Sequence, residues 1–321
     1  MTTAQKKAVV VGALGVIGRY IVDKLLAEGD WQVVGLSRRA AKNAPRYHHI
    51  PVDLLDLEDV GRKLGGSSDV THVFYAAFQP GTGAAADYAA VIAPNRDMLV
   101  NSVTAIAKAS RDLQRVVLVT GTKYYGVHLG PVKTPMRETD SRHMPPDFYF
   151  DQIDWLADFQ RGKKWSFAEL RPQTLCGFAP GTAMSILPAI AVYAAVSKEL
   201  GLPLRFPGRP GAYDTIYQVT ESAHFAKAAL WAATEPRCAN QAFNITNGDG
   251  FRWETLWPWL AAALDMAPGP VRTVELAGFM IDKAPVWDRV VARHRLAPTR
   301  FSDTAQWSYG DYVFTPGWDI L

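Results

Sequence analysis

The sequence predicts an α/β fold: a doubly wound parallel sheet carrying a smaller, mainly helical C-terminal lobe. Three observations point there. Short β-branched runs alternate with longer amphipathic segments through the first half of the chain, the pattern of βαβ units with helices on both faces of a parallel sheet. A hydrophobic run passes straight into three glycines spaced three apart, and a helical pattern follows them. The second half is richer in Trp, Pro and Gly, and its helical patterns are separated by short strands and turns.

Taken in order, Ala8–Val11 reads as a buried strand and Val16–Ala27 as a helix with Ile17, Ile21, Val22, Leu25 and Leu26 on one face. Gln32–Leu36, Tyr47–Val52, Thr71–Ala76 and Arg115–Val119 read as the second to fifth strands, with a long helical pattern over Asn95–Arg111. Further helices are predicted at Ser185–Leu200, Glu221–Thr234 and Trp253–Leu264. Trp253, Trp257 and Trp259 are expected in the core of the C-terminal lobe.

Composition narrows the class of protein. A chain of 321 residues allows two domains at ~150 residues each. Hydrophobic residues at 48% and charged residues at 20% fit a folded enzyme rather than a disordered chain. Lys plus Arg number 34 and Asp plus Glu 31, a net charge of +3 that argues against nucleic acid as a partner. No apolar stretch approaches the ~20 residues of a membrane span, and Met1–Lys7 carries no apolar signal core. Cys176 and Cys238 form neither a metal motif nor a disulfide framework. These features together predict a cytoplasmic protein. Cys176 is expected to be a buried structural thiol. His48 and His49 are adjacent on a strand and so point to opposite faces, which rules out joint chelation.

Gly12-Ala13-Leu14-Gly15-Val16-Ile17-Gly18 carries the most information. Gly12 permits a tight turn, Gly15 lets backbone N–H groups approach a pyrophosphate, and Gly18 allows close packing of the helix. The helix N-terminus then faces the anion. This reads as the dinucleotide-binding strand–turn–helix of a Rossmann-type sheet, the alternative being a glycine-rich turn that holds no ligand. The second strand ends in Leu36-Ser37-Arg38-Arg39, with no acid for a ribose 2′-hydroxyl. Two guanidiniums and a hydroxyl suit a 2′-phosphate and favour NADPH, the alternative being that Arg38 and Arg39 are solvated loop charges. Asp53 and Leu54 close the third strand. Asp53 either accepts from an adenine amino group or N-caps the next helix. The division is placed at residue 175, with an NADP-binding domain over 1–175 and a substrate lobe over 176–321 that is interleaved with the sheet edge.

Several stretches then stand in a recognisable order: Thr71-His72-Val73-Phe74-Tyr75, Thr120-Gly121-Thr122-Lys123, Phe148-Tyr149-Phe150-Asp151, Trp165-Ser166, Arg171-Pro172 and Ala242–Asp249. Together with the glycine spacing they resemble the progesterone 5β-reductase/iridoid synthase-like family of atypical short-chain dehydrogenases/reductases. The resemblance runs from about Val9 to about Asp311. It implies NADPH-dependent reduction of enones, with Lys123 and Tyr149 as the catalytic pair. Lys123 precedes Tyr149 by 26 residues, so the two meet only through the fold. An epimerase of the superfamily is expected to keep a Tyr-x-x-x-Lys run, and none is read in the chain. The resemblance further implies cofactor contacts at Ala77, Phe78, Val119, Pro172, Leu175, Thr182, Ala183 and Met184, and substrate contacts at Phe78, His128, Phe148 and Tyr149. Asp147 and Phe150 stand where the family usually has Asn and Tyr, and Phe78 where many members carry Trp. The family also has a C-terminal helical tail over the pocket; the sequence stops at Leu321, so that tail is either absent or lies beyond these residues.

The chemistry this implies is hydride addition to the β-carbon of an α,β-unsaturated carbonyl compound. Tyr149 would act as hydrogen-bond donor to the developing enolate and Lys123 as the charge that assists it. A carbonyl reductase or epimerase of the same superfamily and a non-catalytic NADP-sensing regulator remain the alternatives. The expected partner is a small-molecule substrate, and superfamily analogy suggests a homodimer.

Overall fold

The computed structural model describes residues 6–80, 89–181 and 184–321. Thr182 and Ala183 therefore lie outside the described residues. The chain divides into two compact units. The first comprises Met1–Tyr125, Glu138–Pro172 and Ser222–Ile245; the second comprises Gly126–Arg137, Gln173–Glu221 and Thr246–Leu321. The chain thus crosses between units more than once, and Ser222–Ile245 returns to the sheet although it follows residue 175.

The first unit holds a seven-stranded parallel sheet. Its strands are β1 (Lys6–Val11), β2 (Trp31–Ser37), β3 (Tyr47–Pro51), β4 (His72–Tyr75), β5 (Arg115–Val119), β6 (Ser166–Pro172) and β7 (Gln241–Ile245). The spatial order is β7-β6-β5-β4-β1-β2-β3, and every pairing is parallel. The strand order reverses at β1, between β2 and β4, which is where a ligand crevice opens beyond the carboxyl ends of such a sheet. Helices cover both faces. On one, α2 (Leu57–Leu64), α3 (Ile92–Ala109) and α4 (Phe148–Gln160) bury Val60, Leu99, Ile106 and Leu156 against Val9, Val73, Val116 and Leu118. On the other, α1 (Gly18–Glu28) packs beside α6 (Ser222–Thr234). Double coverage explains why β1, β4 and β5 read as continuous apolar runs, whereas β2 and β3 alternate toward the sheet edge.

The second unit contains α5 (Ile186–Glu199), α7 (Trp253–Ala263), several short helices and three two-residue strand pairings. Its core is aromatic: Phe206 lies 5.9 Å from Trp253, 5.1 Å from Trp257 and 5.2 Å from Phe314, between ring centroids. Trp253 and Trp257 are buried as expected, but Trp259 is 72% exposed. Trp253 and Trp257, four apart, share one face of α7, and Trp259 falls on the opposite face. Cys176 is only partly buried, although that burial pushes its thiol up to about 12. Among the described residues no helix is long and apolar enough to cross a membrane.

Candidate active site

Gly12 leaves β1 at φ +85°, and a Cβ on it would sit 2.8 Å from the Ala76 carbonyl oxygen. Only glycine fits a left-handed turn pressed against the backbone that ends β4. The loop is pinned from the other side by Gly12 N and Ala13 N, which donate to Leu36 O at 2.9 and 3.0 Å. A Cβ on Gly18 would overlap the Gly12 carbonyl, so that glycine serves the contact of the helix start with its own loop. The helix begins at Gly18, two residues later than the pattern suggests, and Leu14, Val16 and Ile17 belong to the turn. No side chain caps α1, and its first turn holds no acid. A turn closed by glycines and an uncapped, acid-free helix start fit a dinucleotide pyrophosphate.

At the end of β2, Arg38 and Arg39 are exposed. Arg38 Nη1 donates to Gln79 Oε1 at 3.3 Å, directing that guanidinium toward the segment after β4. Gln79 is itself held by the fully buried Asn95, which accepts from Gln79 N at 2.8 Å and donates to Gln79 O at 2.9 Å. The Ser37 hydroxyl donates to Arg39 O at 2.7 Å. The donor set matches a 2′-phosphate, with no carboxylate at the strand end to repel it. Asp53 is exposed and accepts from Leu55 N at 3.0 Å. The N-cap alternative for Asp53 is wrong. Asp56 caps α2, accepting from Glu58 N and Asp59 N, because it is the residue immediately before the first helical turn.

The sixth strand organises the turn after β5. Lys123 lies in the 3-10 turn Thr122–Tyr125, and the residues around it are tied to Glu169 and Arg171. These two β6 residues are both buried and form a bidentate ion pair at 2.7 and 2.8 Å. Thr120 Oγ1 donates to Glu169 Oε1 at 2.7 Å. The Arg171 guanidinium stacks 3.5 Å from the Tyr124 ring centroid and donates to the Tyr125 hydroxyl at 2.8 Å. That hydroxyl donates in turn to Asn244 Oδ1 at 2.8 Å. Arginine can only donate, so the Tyr125 proton is directed to Asn244. Burial works against the charge of Arg171, but Glu169 and Tyr125 more than offset it and hold the guanidinium well above its ordinary range.

Tyr149 is the second residue of α4. The N-cap of that helix is the buried Asp147, whose carboxylate accepts from Tyr149 N at 2.8 Å. The Tyr149 hydroxyl lies over Gly121: a Cβ there would be 3.2 Å from it. Burial pushes Lys123 below the ordinary lysine range, and the Asp147 charge opposes that shift. The acid found where the family usually has Asn thus does two jobs, capping the helix of Tyr149 and lending negative charge near Lys123. The fold brings Thr-Gly-x-Lys and the start of α4 together as expected. The Phe148 ring lies 4.3 Å from Tyr149 and stacks 5.5 Å from Phe78, forming an apolar wall. The chain does contain one Tyr-x-x-x-Lys run, Tyr20 to Lys24, but it lies within α1, where Lys24 pairs with Glu28.

Val119 ends β5, Ala77 follows β4 against Gly12, Leu54 is buried after β3, and Pro172 ends β6. Leu175, Met184 and His128 belong to the second unit; Leu175 and Met184 are partly buried. Gln79, Asn95, Glu169, Tyr125 and Asn244 were not singled out from the sequence. One signal was available: Glu169 and Arg171 stand two apart on an apolar strand, so they share a face and must compensate one another.

A parallel sheet with a glycine turn at its switch point, a basic end to β2 and a Lys–Tyr turn after β5 defines a nicotinamide-dependent oxidoreductase. Residues 53–314 match the PRISE-like Rossmann-fold domain. The chain is 33% identical over 325 residues to an (S)-8-oxocitronellyl enol synthase of Nepeta racemosa, covering 95% of this chain and 82% of that protein. It is 31% identical over 342 residues to a short chain dehydrogenase of Penicillium aethiopicum, covering 98% and 89%. Among solved structures, the UDP-glucose 4-epimerase of Thermus thermophilus in complex with NAD superposes with a TM-score of 0.63 at 19% identity, over 95% of this chain and 98% of that one. That likeness speaks to the fold alone. The chain belongs to the PRISE-like Rossmann-fold family and is an NADPH-dependent oxidoreductase.

Proposed function

We propose that this protein reduces the C=C bond of α,β-unsaturated carbonyl compounds by 1,4-addition, with Tyr149 and Lys123 as the catalytic residues. The observation that carries this reading is the placement of the Tyr149 hydroxyl over the Thr-Gly-x-Lys turn, with Asp147 capping the helix of Tyr149 and opposing the shift of Lys123. NADPH, when bound, supplies the hydride. As the β-carbon takes that electron pair, the C=C pair moves to form the enolate and charge collects on the carbonyl oxygen. Tyr149 donates a hydrogen bond to that oxygen. The positive charge of Lys123 polarises the phenol O–H and makes it a stronger donor. A solvent proton then completes the saturated product. The neighbouring Tyr125 is unsuited to the role because its proton is already given to Asn244. The Phe78–Phe148 wall favours an apolar substrate face. The relatives named enol synthases fit this reading, since an enol is the immediate protonated product of 1,4-addition.

The test is regiochemical. With NADPH deuterated at the transferable 4-position and a set of cyclic enones and enals, the label is expected at the β-carbon of saturated ketones or aldehydes. Label on the carbinol carbon of allylic alcohols across several substrates would establish a carbonyl reductase instead. No cofactor oxidation with any carbonyl compound would overturn the catalytic reading itself.

A further inference from the structure

We propose that His49 and Tyr47 of β3 are positioning residues for the cofactor's 2′-phosphate, fixing the Ser37–Arg39 turn in the conformation that presents Arg38 and Arg39. This rests on the assignment of those arginines to the NADPH site. The argument begins with a backbone carbonyl. Arg39 O accepts from the Ser37 hydroxyl at 2.7 Å and also lies 2.9 Å from His49 Nε2. A carbonyl only accepts, so Nε2 carries the ring proton. Nε2 lies 3.1 Å from Ser37 Oγ as well, whose own proton is given to Arg39 O. The other ring nitrogen, Nδ1, is 2.8 Å from the Tyr47 hydroxyl and accepts its proton. The chain Tyr47, His49, Arg39 therefore has one direction, and it ends on the backbone of the residue expected to touch phosphate.

The same histidine also anchors the far end of the loop. Its backbone N donates to Asn43 Oδ1 at 2.7 Å, so both the strand end and the return segment hang on one β3 residue. His49 is buried while its neighbour His48 is exposed. The alternating parity of β3 thus sends this ring inward, under β2. Gly35, in the middle of β2, makes the room: a Cβ there would overlap the Tyr47 hydroxyl. Glycine weakens a strand interior and often marks a close approach. Here it lets the phenol reach under the turn. An apolar residue at 49 would fill the same volume but would withdraw the imidazole N–H from Arg39 O and loosen the turn.

The test separates hydrogen bonding from packing by using the two amides. A glutamine side-chain NH2 reaches the position of imidazole Nε2, whereas asparagine reaches only that of Nδ1. In the full chain, His49→Asn is expected to weaken NADPH binding by about tenfold, the loss of one buried hydrogen bond to the turn. NADH binding, kcat at saturating NADPH and the melting temperature should change little. His49→Gln should restore NADPH affinity to within about threefold of the parent, well short of a whole hydrogen bond. Equal weakening of both cofactors by His49→Asn, no weakening of either, or failure of His49→Gln to rescue would each overturn the proposal. Arg38→Ala/Arg39→Ala is measured alongside. If that double variant loses NADPH preference while His49→Asn keeps it, only the positioning role falls. If the double variant keeps NADPH preference, the arginine assignment falls and the positioning role with it.

Discussion

The carboxyl ends of β2 and β5 each deliver a cation to the same edge of the sheet, and each is held by the strand next to it, but by different physics. At the end of β2, Arg38 and Arg39 are exposed and their turn is held by the hydroxyl of Ser37 and by the His49 imidazole, itself bonded to Tyr47, reaching from β3 at the sheet edge. At the end of β5, Lys123 is partly buried, and its turn is held by a buried ion pair reaching from β6, inside the sheet. Water solvates the guanidiniums at the edge, so uncharged hydrogen bonds suffice to shape their backbone. In the interior, the guanidinium that grips both tyrosines needs its own carboxylate, because a lone buried charge is costly. The exposed cations at the end of β2 can therefore be fixed by neutral groups, whereas the partly buried Lys123 comes with a second, structural charge pair.

Five measurements sharpen or break this contrast. The largest effect belongs to the β5 side: Tyr149→Phe should lower kcat by about 10²–10⁴-fold and leave the NADPH dissociation constant nearly unchanged. Retention of most activity on every substrate would remove Tyr149 from the chemistry. Glu169→Gln should destabilise the protein by about 3–5 kcal/mol in urea unfolding, since it leaves Arg171 buried without its carboxylate. Replacing both partners together, Glu169→Leu with Arg171→Met, should cost less than the single change. If the single change cost under about 1 kcal/mol, the range of an exposed pair, the interior ion pair would not be what holds this turn.

On the β2 side the effects are smaller and salt-dependent. Arg38→Ala/Arg39→Ala should weaken NADPH binding by about 1.5–3 kcal/mol in total, discounted for exposure, with NADH nearly unaffected. The loss should shrink as ionic strength rises, whereas the effect of Glu169→Gln should not. Asp147→Ala should cost about 1 kcal/mol of stability through the lost cap of α4, and Asp147→Asn should cost almost none.

The smallest effect concerns the pH dependence of stability. Burial depresses Lys123 in the folded state, so its charge costs stability wherever it is protonated. That cost is complete below the depressed value and fades as pH rises from there toward the unfolded value near ~10.4. Lys123→Met should therefore melt slightly higher than the parent at neutral pH without cofactor, and the gap should close as pH rises. A gap that widens would mean the charge is net stabilising.

Much of the β2 side could be read without a structure. A glycine turn, a following helix and a strand end bearing Arg38 and Arg39 are contiguous in sequence, and their chemistry is local: φ, close approach and charge within one βα unit. The support beneath that turn could not be read. Tyr47 and His49 are ordinary strand residues until β3 is laid beside β2 in the register that pairs His49 with Gly35.

On the β5 side, resemblance marked Lys123 and Tyr149, but nothing in local sequence joins residues 26 apart. Sequence by itself determined the parallel α/β class, the glycine turn after β1 and the basic, acid-free end of β2. Those follow from periodicity and from residues that must be neighbours to act. Tertiary structure alone decided that Asp147 caps the helix of Tyr149 and opposes the shift of Lys123, that Tyr125 gives its proton to Asn244, and that β6 grips the turn that carries Lys123. The physical reason is that directional hydrogen bonds and buried charge pairs depend on which strands become neighbours, and that choice is made by the packing of the whole sheet.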